Sequence, residues 1–294
     1  MSILLLVGLV RLAAFGDVVA MTWNLRWFPS GIADLRATPE KEARVERDAG
    51  RILADGYRDQ CRKNPAAWIV LVQELRDAET SVRLAAATGV TDLKPVATSA
   101  FADNAGVPLW QQLGILSTLP VLDAGTAIWS RADGVQIPRG FVYALLDGGA
   151  DGPILCFCLH LKSNWLSTEG VYATQKNIYK REAAAAQILA VVRTMRPKTG
   201  GRDIRILVGG DFNTNEDDPT FVSESTLRSF YGAHFRSCFR DLKKAQCVTH
   251  PGRGVFPDAT FDYILYRGFE RIVSRRIYPG TDVSDHHLVA IRLR

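Results

Sequence analysis

No segment of this sequence reaches the about 20 consecutive apolar residues that cross a bilayer, which excludes a polytopic membrane protein. Cysteine is scarce, five in 294 residues, so a disulfide-dense scaffold is excluded too. The 24 glycines follow no three-residue period, and internal repeats and low-complexity tracts are missing, which removes collagen-like and repeat architectures. Charge of one sign is not in large excess: 36 Lys and Arg stand against 31 Asp and Glu. That mild +5 bias and a pI near 9.0 favour a partner carrying negative charge without making a polybasic tail. What is present, 47% hydrophobic and 23% charged residues, is the composition of an ordinary globular domain.

The first sixteen residues stand apart. Ile3 to Val10 is an apolar run of eight, followed by Arg11 and small residues at Ala13, Ala14 and Gly16. Residues 1–16 fit the apolar core of a secretory signal, or an extra element packed on the domain. The basic stretch that usually precedes such a core is missing, and secreted, periplasmic and cytoplasmic locations all stay open. The odd set Cys61, Cys156, Cys158, Cys238 and Cys247 allows two pairs at most; Cys238 and Cys247 close a small loop or stay free thiols.

Residues 17–294 read as one domain. Strands are expected at Val18 to Asn24, Trp68 to Gln73, Leu113 to Ser117, Phe141 to Leu146, Ile154 to Leu161, Ile204 to Gly209, Phe261 to Tyr266 and Leu288 to Leu293, rich in β-branched or aromatic residues and bounded by turn formers. One helix opens at Thr38 as N-cap with Pro39 at N1 and runs to about Lys63; a second covers about Ala173 to Met195. Two helices among eight or more strands, many joined by short loops, imply an α/β fold of two mixed sheets stacked as a sandwich with outer helices.

Polar residues recur where these strands end: Asn24, Glu74, His160, then Asp211 with Asn213; nearer the C-terminus come Asp262 inside an aromatic strand and Asp285 beside His286. Singly, each has a turn or surface explanation. Together they meet the needs of metal-assisted attack of water on a phosphate ester. Asn24, Glu74 and Asp285 supply the oxygen donors a hard cation such as Mg²⁺ takes, with Mn²⁺ as a substitute. Asp211 with Asn213 activates and holds the water. His160 and His286 offset charge building on the phosphoryl oxygens, and Asp262 fixes one imidazole tautomer.

The segments TWNLRWF, VLVQEL, LHLKSN, GGDFNTN, TFDYIL and SDHHLV, in that order over about Val18 to Arg294, resemble the endonuclease/exonuclease/phosphatase superfamily, the deoxyribonuclease-like fold. The resemblance implies a four-layered α/β sandwich, its two sheets mainly antiparallel, with the site at one edge. It implies that Asn24 and Glu74 bind metal or position phosphate and that His160 stabilises the transition state. It further implies that Asp211 activates water beside Asn213, that Asp262 orients His286, and that Asp285 completes the set. Arg139 resembles the family's arginine before the next strand. An acidic partner for the first histidine is not evident around Gly114 to Thr118.

Other chemistries fall away. Asp211, Asn213, Asn215 and Asp217 mimic the start of a calcium loop, but Glu216 and Val222 occupy the positions that need Gly and Glu. A zinc site on Cys156, Cys158 and His160 fails because the first and last lie about 13 Å apart along a strand. Walker loops and nucleophile elbows are missing. His234, His250 and His287 read as surface or structural residues. For the substrate, the basic pI and the loop Lys162, Ser163, Asn164, Trp165 favour nucleic acid, DNA before RNA: a cation meets phosphate and an indole stacks on a base. Lys176, Lys180 and Arg181 extend a basic track or form a solvated helix face. The expected activity is that of a metal-dependent endonuclease, acting as a monomer without stable membrane insertion; a phosphatase or sphingomyelinase-like hydrolase of inositol phosphates or phospholipids is the alternative.

Overall fold

The computed structural model describes residues 16–31, 37–62, 64–164, 170–195, 204–254 and 256–294. Residues 1–15, the expected helix end at Lys63, and Trp165 lie outside these. The elements in chain order are β1 (Val18–Phe28), α1 (Pro39–Cys61), β2 (Ala67–Leu75), α2 (Ala78–Ala87), β3 (Lys94–Thr98), β4 (Gln112–Ser117), β5 (Val121–Ile128) and β6 (Gly140–Leu146). They continue with β7 (Ile154–His160), α3 (Gly170–Met195), β8 (Arg205–Asp211), α4 (Thr226–Gly232), β9 (Arg236–Ser237), β10 (Asp262–Arg267), β11 (Ile272–Tyr278) and β12 (Leu288–Leu293).

Among the described residues, twelve strands form two six-stranded sheets, ordered β11-β12-β1-β2-β4-β3 and β5-β6-β7-β8-β10-β9. Each sheet has one parallel pair, β1 with β2 and β7 with β8, and is otherwise antiparallel. A parallel pair needs a crossover, and α1 and α3 supply the two. Thr38 caps α1 as its spacing demands, its side chain accepting from the Lys41 N–H. The period of two along β1 and β2 sorts their side chains: Val18, Ala20, Ile69 and Leu71 face the second sheet, while Val19, Met21, Trp23, Trp68 and Val70 pack under Leu53 of α1 and Leu84 of α2. Ala184, Ala185 and Ile188 of α3 cover the second sheet, giving the four-layered α/β sandwich.

The chain direction in the parallel pairs matters for function. Asn24, Glu74, His160 and Asp211 all lie at or near the carboxyl ends of parallel strands, where α/β sheets place their sites. All five cysteines are free and buried, so Cys238 and Cys247 form no disulfide. Among the described residues, no helix is long and apolar enough to cross a membrane.

Candidate active site

Irregular backbone aims the side chains. The β1–β2 register shifts between Asn24 and Phe28, and Arg26 and Trp27 there take φ of 48° and 50°. This bulge turns the Arg26 N–H onto Asn24 Oδ1 at 3.0 Å and the Trp27 N–H onto Glu74 Oε2 at 2.9 Å. Glu74 sits in a second bulge, opposite β4, at φ 63°. Left-handed backbone at non-glycine residues is costly and gathers at functional sites. On β8, a side chain at Gly210 would bring its Cβ within 1.8 Å of the Leu159 carbonyl oxygen, so only glycine lets β7 approach this closely. His160 and Asp211 are then direct partners across the parallel ladder, and Asp262 is the partner of Asp211 on the other side.

The result is a buried polar cluster. Asn24 Nδ2 donates to Glu74 Oε1 at 3.2 Å and to Asp211 Oδ2 at 3.0 Å, separating two carboxylates that would otherwise repel. His160 Nε2 lies 3.6 Å from Asp211 Oδ2 and 3.9 Å from Glu74 Oε1. His286 Nδ1 donates to Asp262 Oδ2 at 2.8 Å, which fixes the ring orientation and turns Nε2 toward Asp211, 3.9 Å away. The Asn213 N–H donates to Asp211 Oδ1 at 2.9 Å, and its side chain donates to the Leu161 carbonyl. Asp285 is at the exposed rim, 3.4 Å from Arg26. Its carboxylate lies within 4.8 Å of ring nitrogens of His286 and His250.

The electrostatics follow from burial. Burial pushes Asp211 up to about 7, with His286 pulling it down and Asp262 pushing it up. Burial opposes the His286 imidazolium, yet Asp262, Asp211 and Asp285 outweigh it and raise the group to about 10. His160 is held well below the usual histidine range by burial, then by Arg139, His286 and Lys162. Its Nδ1 has no hydrogen-bond partner, in line with the acidic residue missing from the sequence. The cluster therefore pairs a neutral imidazole with a charged one around a carboxylate poised near neutrality, the kind of perturbation found at catalytic centres.

Arg139, at φ 65° just before β6, donates to Gln111 and to the carbonyls of His160 and Leu161, bracing the end of β7. Lys162 is half-buried beside the site, its pKa lowered by burial and then by Arg139, Lys180 and Arg181. Asn164 is anchored by Arg181 at 2.6 Å. Arg181 does not extend a basic track: it is fully buried and ion-paired with Glu224, because the loop end at Lys162 and Asn164 needs its guanidinium as a clamp. His287 is structural, its Nδ1 accepting from the Gly280 N–H. His250 is not remote: its ring meets that of His286 edge-on at 4.7 Å. The short bridge between His250 and Ala259 folds that loop back over the site, and the only trace of this in the sequence is its position just before the TFDYIL segment.

The model of the Endonuclease/Exonuclease/phosphatase family matches residues 21–286, and the chain belongs to that family, whose members are generally phosphoester hydrolases. Solved structures repeat the fold. An endonuclease/exonuclease/phosphatase from Beutenbergia cavernae superposes with a TM-score of 0.64 at 16% identity, covering 95% of this chain and 71% of that one. Truncated Caenorhabditis elegans TDP2 superposes at 0.62 and 12% identity, covering 95% and 97%. A Bacteroides vulgatus member of the same name gives 0.58 at 15%, covering 95% and 98%. No curated protein sequence matches the chain at a significant level.

Proposed function

We propose that this protein is a metal-dependent phosphodiesterase that cuts nucleic acid internally, DNA before RNA, by activated water. The observation that carries the reading is the Asp211 carboxylate, raised to about 7 and lying between His160 and His286. The donor set fits a hard divalent cation: the buried Glu74 carboxylate lies across the Asn24 amide from Asp211, which burial has raised, and Asn24 joins them once its amide, now donating to both carboxylates from Nδ2, turns its oxygen inward. Glu74 and Asn24, with Asp285 at the rim, would hold Mg²⁺ or Mn²⁺. When bound, such an ion polarises a phosphoryl oxygen and neutralises its charge.

The chain's own residues account for the other steps. Asp211 Oδ2 takes a proton from the attacking water, and Asn213 fixes the other carboxylate oxygen through its N–H. His160, neutral, donates a hydrogen bond to a phosphoryl oxygen from Nε2. His286, charged and braced by Asp262, stabilises the developing negative charge. Arg139 holds the end of β7 so that His160 keeps its aim. Lys162 and Asn164, on the segment following His160, meet the substrate backbone.

Supercoiled plasmid incubated with the protein in Mg²⁺ or Mn²⁺, with EDTA and Asp211→Asn as controls, tests this. Nicking that requires both metal and Asp211 supports the nuclease. Intact plasmid alongside release of phosphate from inositol phosphates, or of choline phosphate from sphingomyelin, would transfer the same chemistry to a phosphatase or lipid hydrolase.

A further inference from the structure

Away from the catalytic end, positive charge is gathered in one place. Between Arg236 and Arg276 the sequence holds nine Lys and Arg against four Asp and Glu, an excess equal to the +5 of the entire chain. Four of them, Arg236, Arg240, Arg271 and Arg275, line an open groove of about 480 Å³ between the edge strand β9 of one sheet and the edge strand β11 of the other. Asp241 is the one carboxylate in its lining.

Charged surface residues commonly do no more than face solvent, but two of these guanidiniums, those of Arg236 and Arg275, are held in place. Arg236 donates to the carbonyls of Phe269 and Glu270 and lies 4.8 Å over the Tyr266 ring. Arg275 donates to the carbonyls of Cys238 at 3.0 Å and Arg240 at 2.7 Å. Carbonyl oxygens orient a guanidinium without cancelling its charge, unlike the carboxylates that neutralise Arg181 and Arg292. Among the described residues, the one ion pair in the groove, Arg240 with Asp241, is 4.0 Å long with both side chains mostly exposed, so it offsets little. Two pre-oriented guanidiniums flanked by the exposed Arg240 and Arg271 in a concave channel suit a line of backbone phosphates better than a flat anionic surface.

We propose that this groove is a second anchoring surface for nucleic acid, gripping phosphates at a distance from the scissile bond. The proposal rests on the nuclease reading and adds a length requirement to it. Tyr266 lies four residues along β10 from Asp262, about 13 Å at a rise of about 3.3 Å per residue. A strand reaching Tyr266 extends roughly four nucleotides past the cut, and one reaching Arg271, beside the paired Ile272, Leu293 and Val18 about 20 Å from Asn24, roughly six, at about 3.4 Å each.

The test compares wild type with the double variant Arg240→Glu/Arg271→Glu and with a control of equal charge change on the exposed face of α1, Arg51→Glu/Arg58→Glu. Affinity for a labelled duplex about two helical turns long is read by anisotropy in EDTA across a salt series, and turnover of a small chromogenic phosphodiester is read in Mg²⁺. The groove variant is expected to bind about tenfold more weakly and to lower the salt slope by about 2, while the control changes little. Both variants keep wild-type turnover of the small diester. Equal losses in both pairs, or no loss in the groove pair, overturn the proposal while leaving the nuclease intact. A wild type that hydrolyses the small diester but neither binds nor nicks DNA overturns both; phosphatidylserine vesicle binding lost in the groove pair would then make this a membrane-facing surface.

Discussion

The two ends of β1 handle buried charge in opposite ways. At its start, Asp17 is buried, and burial alone would raise its pKa, but Arg294 and Arg292 hold it below the usual carboxylate range through bonds of 2.7 Å each. Arg292 also satisfies the carbonyls of Gln60 and Cys61, tying β12 and α1 to β1. At the other end, about 23 Å away by strand rise, Asp211 is buried with no arginine bonded to it and is raised to about 7. Arg139, which feels the Asp211 charge, gives its hydrogen bonds to Gln111 and backbone carbonyls instead. At the Asp17 end two arginines hold the carboxylate charged; at the Asp211 end two histidines at 3.6 and 3.9 Å leave its protonation open near neutrality.

The contrast is open to experiment. Chelation is the strongest perturbation: EDTA should abolish turnover while the melting temperature stays within a few degrees, since the Asp17 network needs no ion. Next comes Asp211→Asn, expected to slow phosphodiester hydrolysis by at least about 100-fold, the scale of a lost general base, in steady-state assays. Asp17→Asn is the mirror image. Breaking a buried pair while Asn keeps some of the bonding is expected to cost about 2 kcal/mol of stability in urea unfolding, with kcat per folded molecule unchanged.

Much of this was legible in the sequence, and the exceptions have physical reasons. The strands that read clearly, β1, β2, β4, β6, β7, β8, β10 and β12, are interior strands buried along nearly their whole length. Those that did not, β3, β5, β9 and β11, are the four sheet edges. Edge strands face solvent along much of one side, so β11 carries Arg275 and Arg276 where an interior strand would carry apolar residues. The short α2 was missed as well, although Asp77 caps it by accepting from the Thr80 N–H. The candidate site residues at the ends of interior strands, from Asn24 to Asp262, could be expected to cluster because the strands themselves were legible. His250 was not, since it reaches His286 through a folded loop that leaves no periodic trace.

Two smaller effects sharpen the comparison. Asp211 is protonated more readily in the folded state than in the unfolded chain, so its contribution falls as pH rises from its ordinary value of 3.8 to about 7. In EDTA, the melting temperature of Asp211→Asn relative to wild type should therefore climb across that window and level off above it; a flat difference would mean that Asp211 titrates normally. Asp17 has the opposite sign, stabilising above its ordinary value and losing that stabilisation as pH falls through its lowered folded value. The smallest effect is expected from Lys162→Ala: duplex binding weakened about threefold, with the salt slope shallower by about 1. An unaltered slope would remove Lys162 from the substrate path.

The most direct measurement is the metal-dependent hydrolysis rate of Asp211→Asn beside Asp17→Asn, each normalised to folded protein. The expected result is a collapse of rate at Asp211 with the fold intact, and a wild-type rate at Asp17 with the fold weakened. Full activity in Asp211→Asn, or a comparable collapse in folded Asp17→Asn, would contradict the division of labour between the two ends.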